Sequence, residues 1–450
     1  MMKYSTIGLT LLLLFITRTP LVTHRVEFNS DYLVPGNIRI TNDLSKGRNT
    51  DYIERLYSSF MRKWEIKGAS VAVSKDGRLV FAHGFGYADM ENYIEAEPYH
   101  RFRVASVSKL ITAIAVLKLV EEGKISVDDR VFGPDAILND SVFANPRDNR
   151  VYNITVAHLL GHQGGWSLRY GDHMFITQSI ARQMDKGLPL TTTDYVRFAL
   201  DRRLHYYPGT GRSYSNLGYA ILGLVVEKAS GMTYEDYCRE KIFEPLGIYD
   251  MMLGSNLEEG RLINEVKYYE QQDAIPKLSV YGTGEIVPAS YGGNDIESLG
   301  AAGAWVATAP DLLKILLAVD GFNNFPDILP SEMIEQMTDI TNGYAPLGWR
   351  SSFPNGVWWR TGFFPGTTAM MKRLPNGMAW VVLLNSSAWN GPELTNEINS
   401  LMNRILSQTR EWRQDDMFRY HMPLPLKHSF NSNIDQDVLY SKYKSDKGGA

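Results

Sequence analysis

Two places in the chain read Ser-x-x-Lys, and they sit in opposite settings. Ser106-Val107-Ser108-Lys109 opens an apolar run that continues through Leu110, Ile111, Ile114, Val116, Leu117 and Val120, the pattern of a buried helix. A serine at a helix N-terminus feels the positive end of the macrodipole, and a lysine three residues on lies one turn further along the same face. Hydroxyl and amine can then share a hydrogen bond, which makes Ser106 a candidate nucleophile with a basic group at hand. Ser441-Lys442-Tyr443-Lys444 instead lies among Ser445, Asp446 and Lys447, with no apolar run beside it. About one or two such tetrapeptides arise by chance in a chain of this length. The setting singles out Ser106, and the second instance is read as chance.

Two further clusters follow in chain order. Pro208-Gly209-Thr210-Gly211-Arg212-Ser213-Tyr214-Ser215-Asn216 places a Tyr-x-Asn between a turn and another apolar stretch, Leu217 to Ile221. Taken without the other motifs, Tyr214 and Asn216 read more readily as turn chemistry ahead of a helix. Later, Trp358-Trp359-Arg360-Thr361-Gly362 is a strand-like run ending in Thr-Gly. Its two tryptophans either line a cleft or pack a sheet. His158 and His162 are spaced i, i+4 as zinc ligands on a helix would be, but no glutamate follows His158 and Gly161 weakens the helix, so a structural role is expected and no metal.

Serine-lysine, Tyr-x-Asn and basic-Thr-Gly in this order resemble the signature of the serine β-lactamases and penicillin-binding proteins. The resemblance extends to Thr155–Gly165, to Tyr219–Ile248 with Pro245-Leu246-Gly247, and to Gly300-Ala301-Ala302-Gly303 followed by Asp311-Leu312. It covers roughly 51–408 and is nearest to the class C β-lactamase, D-Ala-D-Ala peptidase and β-lactamase-like esterase group. It implies an acyl-enzyme on Ser106. Lys109 would act as base, with its pKa brought well below about 10.4 by burial and the helix end. Tyr214 would relay the proton and later activate water, and Asn216 would orient Lys109 and the substrate amide. The backbone N–H groups of Ser106 and Phe363 would form the oxyanion hole, and Thr361 and Gly362 would help to bind substrate.

Arg360 departs from the resemblance, which has Lys or His there. A guanidinium holds its proton at any working pH and can grip a carboxylate with its planar fork. That favours an anionic acyl donor or a peptide C-terminus. No counterpart is found to the additional glutamate that drives deacylation in class A β-lactamases. The expected activity is a metal-free, cofactor-free serine hydrolase acting on a peptide, ester or β-lactam carbonyl of a small-molecule or cell-wall-derived peptide substrate. Two alternatives stay open: an acyltransferase using the same acyl-enzyme, and a β-lactam or cell-wall sensor that acylates without turnover.

The elements that must position these groups are legible at both ends of the chain. Ala69–Val73 and Leu79–Ala82 flank Lys75-Asp76-Gly77, a hairpin signal, and Val357–Thr361, Thr367–Lys372 and Met378–Leu384 read as three strands. The expected fold is α+β: an antiparallel sheet formed from both chain ends, flanking helices at Asp51–Trp64 and Leu394–Leu406, and an inserted, mainly helical subdomain at about 105–300. The active site then falls in the cleft between subdomains. The catalytic domain is placed at 45–408, and 409–450, polar apart from Met422-Pro423-Leu424-Pro425-Leu426, is read as a surface-draped extension or a partly disordered tail.

The chain has 450 residues, 44% of them hydrophobic, enough for one large core or two. A net charge of -4 gives no reason to expect nucleic acid, and the single Cys238 excludes an intrachain disulfide. Lys3, the apolar run Ile7–Ile16 and then Arg18 and Pro20 read as an export signal within 1–24, or as a signal anchor if it is not cleaved. The expected location is periplasmic or secreted, with membrane association through the N-terminus in the uncleaved case.

Overall fold

The hairpin expected at Lys75-Asp76-Gly77 is present in the computed structural model, which describes residues 39–420 apart from 48, 342–344 and 389. Asp76 and Gly77 take φ values of 52° and 75°, the paired positive values of a type I′ turn. Strands β1 (Gly68–Lys75) and β2 (Arg78–Asp89) leave that turn, and β2 runs well past the expected end at Ala82. Its far end pairs with β3 (Ile94–Glu95). The other chain end supplies β4 (Ser351–Ser352), β5 (Trp358–Phe364), β6 (Thr367–Arg373) and β7 (Met378–Leu384).

These strands form one antiparallel sheet in the order β3-β2-β1-β7-β6-β5-β4. The two chain ends meet at the β1–β7 junction, where Ala69 lies opposite Leu384 and Lys75 opposite Met378. Central strands read as almost unbroken apolar runs because both faces are covered. On one face Val71, Val73, Trp380 and Val382 pack with Ile53 and Tyr57 of α1 (Thr50–Trp64) and with Ile398 and Met402 of the C-terminal helix Gly391–Gln408. On the other, Ala72, Val381 and Leu383 join a larger core with α2 (Ser108–Glu121), α3 (Asn216–Ser230) and α4 (Ala309–Leu317). The inserted helices of 105–300 therefore have no separate core. The apolar interior is divided by the sheet.

Helix α2 is apolar all round, as a helix in the middle of a core must be. The segment 409–420 closes against the body of the fold: Asp416 accepts from the Leu79 N–H at 2.9 Å, and Met417 and Phe418 are buried. The expected export signal or anchor at 1–24 and the rest of the extension, from 421 onward, lie outside the described residues. No helix among the described residues is long and apolar enough to cross a membrane.

Candidate active site

Ser106 sits in a tight 3-10 turn, Ala105–Val107, that leads into α2. The helix proper starts at Ser108, whose hydroxyl accepts the Trp305 N–H at 3.2 Å. Ala105, immediately before the serine, has φ 47°, a left-handed conformation that a residue with a Cβ adopts only at some cost. One turn on, Lys109 is wholly buried. Its Nζ lies 3.1 Å from Ser106 Oγ and donates to Asn216 Oδ1 at 2.7 Å and to the Ala302 carbonyl at 2.5 Å. An ammonium has three N–H donors, and three acceptors surround this one.

Tyr214 Oη is closer still to the serine, 2.6 Å from Ser106 Oγ. Between Tyr214 and Asn216, Ser215 caps α3, its hydroxyl accepting the Gly218 N–H at 2.9 Å. The segment is thus turn chemistry ahead of a helix, and it also brings Tyr214 and Asn216 to the serine and lysine. The cap fixes the helix start, and the residues on either side of it face Ser106 and Lys109. His162 backs Tyr214, with ring centroids 4.6 Å apart, and its Nδ1 accepts the Ser215 N–H at 3.2 Å. His158 Nδ1 accepts the Thr155 N–H at 3.2 Å within a capping box on the short helix Val156–Leu160. The two histidines thus hold backbone, and among the described residues no group of three or more His, Cys, Asp or Glu is placed to hold a metal ion.

The third motif lies on β5. The Arg350 N–H donates to the Trp359 carbonyl at 3.0 Å, on the side of β5 away from β6. Backbone groups alternate sides along an antiparallel strand, so Thr361 and Phe363 turn their N–H groups to that free edge as well. Gly362 presses on the serine turn: a Cβ there would sit 2.2 Å from the Val104 carbonyl oxygen and 2.9 Å from the Ser106 nitrogen. Trp359 lines the cleft while Trp358 packs beside Trp349 and Arg373. Neighbours on a strand face opposite ways.

Arg360 is buried rather than open to water, with Nε donating to the Ser106 carbonyl at 2.8 Å and an Nη donating to Tyr214 Oη at 3.3 Å. Those donors serve the protein's own turn and phenol. These bonds occupy Nε and one Nη, and Arg360 is also among the residues that line the cleft. The amide of Asn216 is likewise engaged with the protein: Oδ1 faces Lys109 and Nδ2 donates to Asp172 Oδ2 at 2.7 Å. Asp172 and the Ala302 carbonyl were not anticipated from sequence. An Asp after a Gly reads as a turn cap, which Asp172 also is, and a backbone carbonyl carries no residue signal.

Burial acts on every charge here. It pushes the Lys109 ammonium down, Arg360 pushes the same way, and Tyr214 opposes. Burial alone would raise the Tyr214 phenol, but the cations Lys109 and Arg360 outweigh it and bring it to about 8. His162 is held well below its usual value by burial and then by Arg360 and Lys109, so it stays neutral. The result is a serine hydroxyl flanked by an unusually acidic phenol and a buried amine. Ser106 and Tyr214 line a cleft of about 1000 Å³, with Leu168, Phe175, Trp359 and Phe363 also on its walls, and Lys109 is buried behind them.

The beta-lactamase family model matches residues 53–401. The chain belongs to the beta-lactamase family. The family is generally hydrolytic and is built on the fold described above. Protein flp of Staphylococcus aureus (strain MRSA252) is 25% identical over 241 residues, covering 54% of this chain and 44% of that protein. Penicillin-binding protein 4* of Bacillus subtilis (strain 168) is 26% identical over 243 residues, covering 54% and 46%. The chain thus matches less than half the length of either relative. Among solved structures, the octameric penicillin-binding protein homologue from Pyrococcus abyssi is 26% identical with a TM-score of 0.59, covering 79% of this chain and 78% of that one. D-amino acid amidase from Ochrobactrum anthropi SV3, complexed with D-phenylalanine, gives 24%, a TM-score of 0.61 and coverage of 79% and 97%. At that identity the amidase speaks to the fold alone.

Proposed function

We propose that this beta-lactamase family member is a serine hydrolase that forms an acyl-enzyme on Ser106 with a peptide, ester or β-lactam carbonyl. The observation that carries the reading is the placement of Ser106 Oγ 2.6 Å from the Tyr214 phenol and 3.1 Å from the Lys109 amine, where Ser106 and Tyr214 line the cleft. Tyr214, as phenolate, takes the Ser106 proton while Oγ attacks the carbonyl carbon. The tetrahedral oxyanion is held by the Ser106 and Phe363 N–H groups. When the bond to the leaving group breaks, Tyr214 returns the proton to that group. Water then attacks the acyl carbon, Tyr214 takes one of its protons, and Ser106 Oγ regains a proton as the acid departs.

The role of base thereby moves from Lys109, where sequence put it, to Tyr214. Lys109 keeps its three donors on Ser106, Asn216 and Ala302 and supplies, with Arg360, the positive charge that stabilises the phenolate. Export through the 1–24 segment, supported by Lys3 and the Ile7–Ile16 run, is part of the proposal and places the enzyme in the periplasm or outside the cell.

The test is intact-mass analysis over time with a serine-reactive probe, a penicillin and small esters. A transient adduct on Ser106, absent from a folded Ser106→Ala variant, is the expected result. Adducts at Ser213 or Ser441 instead overturn the assignment. An adduct that persists identifies a sensor, and one lost faster with added alcohol or amine identifies an acyltransferase.

A further inference from the structure

Asparagine has a donor end and an acceptor end of nearly the same shape, so its own side chain does not decide which end meets a neighbour. At Asn216 the decision matters. Lys109 Nζ needs an acceptor there, and a flipped amide would set N–H against N–H in a buried place where neither finds water. Asp172 lies on the far side of that amide. Its Oδ2 accepts from Asn216 Nδ2 at 2.7 Å, and its Oδ1 accepts the Met174 N–H at 3.0 Å as cap of the short turn His173–Phe175. An ionised carboxylate only accepts hydrogen bonds. It claims the N–H end of Asn216 and leaves the carbonyl end for Lys109. Among the described residues Asp172 has these two acceptor bonds and no ion pair within 4.0 Å.

We propose that Asp172 is a positioning residue for the acylation step, locking the Asn216 amide so that Lys109 stays charged beside Tyr214. The inference rests on the reading of Tyr214 as the proton acceptor. Burial leaves the Asp172 carboxyl above its usual value, against the opposition of Asn216, the Met174 N–H and the Lys109 charge. The ionisable and charged groups around Tyr214 are Ser106 and Lys109 from the helix start, Arg360 from β5, Tyr219 from α3 and the neutral His162 behind the ring. Of these groups, the Asp172 charge acts directly on Lys109 alone. It acts through Asn216 and through the field on Lys109, since a nearby anion favours the ammonium.

Asp172→Asn tests this, because asparagine keeps an oxygen to cap Met174 while losing the obligatory acceptor. Freed to flip, Asn216 stops holding the ammonium, Lys109 loses its proton more readily, and the phenol loses a cation. The midpoint of the Ser106 acylation rate against pH should move upward by about one unit, leaving about tenfold less phenolate at neutral pH. Asp172→Glu should restore much of the original profile. In a cycle with Asn216→Ala, Asp172→Asn should add little, since both act on the same bond. A second readout does not depend on turnover: the ultraviolet titration of the Tyr214 phenol, taken as the difference from Tyr214→Phe, should shift in the same direction. An unmoved titration, or full additivity in the cycle, overturns the role of Asp172. Absence of any Ser106 adduct in the parent protein overturns the acyl-enzyme reading instead, and leaves the phenol titration to judge Asp172.

Discussion

At the scale of single residues, the site turns on one phenol made acidic by two cations. Because its pKa is lowered to about 8, the phenolate is half formed near that pH and declines about tenfold for each unit below it. The acylation rate should therefore rise with pH and level off above the midpoint, and stopped-flow or intact-mass rates across pH check this. Tyr214→Phe should reduce acylation by about 10²–10⁴ with the fold intact by circular dichroism; a rate near the parent's returns the proton to Lys109. Arg360→Ala removes one of the cations, so the midpoint should climb by about one unit, while Arg360→Lys keeps most of the effect. An unchanged profile in Arg360→Ala would show that the guanidinium serves only the Ser106 carbonyl. Arg360 was expected to face a substrate carboxylate; from a strand sequence the end point of a long side chain is not visible, and here its Nε and one Nη end on Ser106 and Tyr214.

At the scale of elements, the serine turn and β5 are fitted to each other at Gly362. No Cβ fits against the Val104 carbonyl at 2.2 Å, so Gly362→Ala forces the strand and turn apart. We expect a loss of about 1–3 kcal/mol in denaturant unfolding, the usual range for an overpacked site. The loss of acylation should be much larger, about 10²–10³, because the Phe363 N–H moves with the strand. Equal small effects on both would separate Gly362 from the oxyanion site. The Tyr-x-Asn segment illustrates the same coupling. Ser215 starts α3 as its cap and thereby sets Tyr214 outside the helix and Asn216 inside it, one facing Ser106 and the other Lys109.

At the scale of the whole molecule, the sheet separates two apolar interiors with different duties. Ser106, Lys109 and Tyr214 belong to the side carrying α2 and α3, while Trp380 is buried on the side of α1 and the C-terminal helix. Trp380→Ala should cost about 3–5 kcal/mol of stability yet leave the acylation rate per folded molecule within a few-fold of the parent. Unfolding curves and active-site titration together measure both. A specific rate that fell with stability would mean that the two faces are not independent. The β1–β7 junction pairs residues some 300 positions apart, a topology that favours slow folding.

The sequence alone determined the features that rest on local rules. Helical and strand apolar patterns placed α1, β1, β6 and β7 near their observed ends but stopped β2 seven residues short, Asp-Gly fixed the first hairpin, and a serine three residues before a lysine at the start of an apolar run marked the candidate nucleophile. Motif order did the rest, since three weak signals in the right sequence are specific together. What the tertiary structure decided is what depends on distant partners. Arg360 meets Ser106 across 254 positions, and Asp172 meets Asn216 across 44; nothing local to either residue records the meeting. Which end of Asn216 faces Lys109, which side of β5 is free, and whether a buried phenol is acidic are all set by charges and donors brought in from other elements. Electrostatics of this kind is a property of the packed interior, where low dielectric strengthens the interaction between charges and penalises each charge left without a partner.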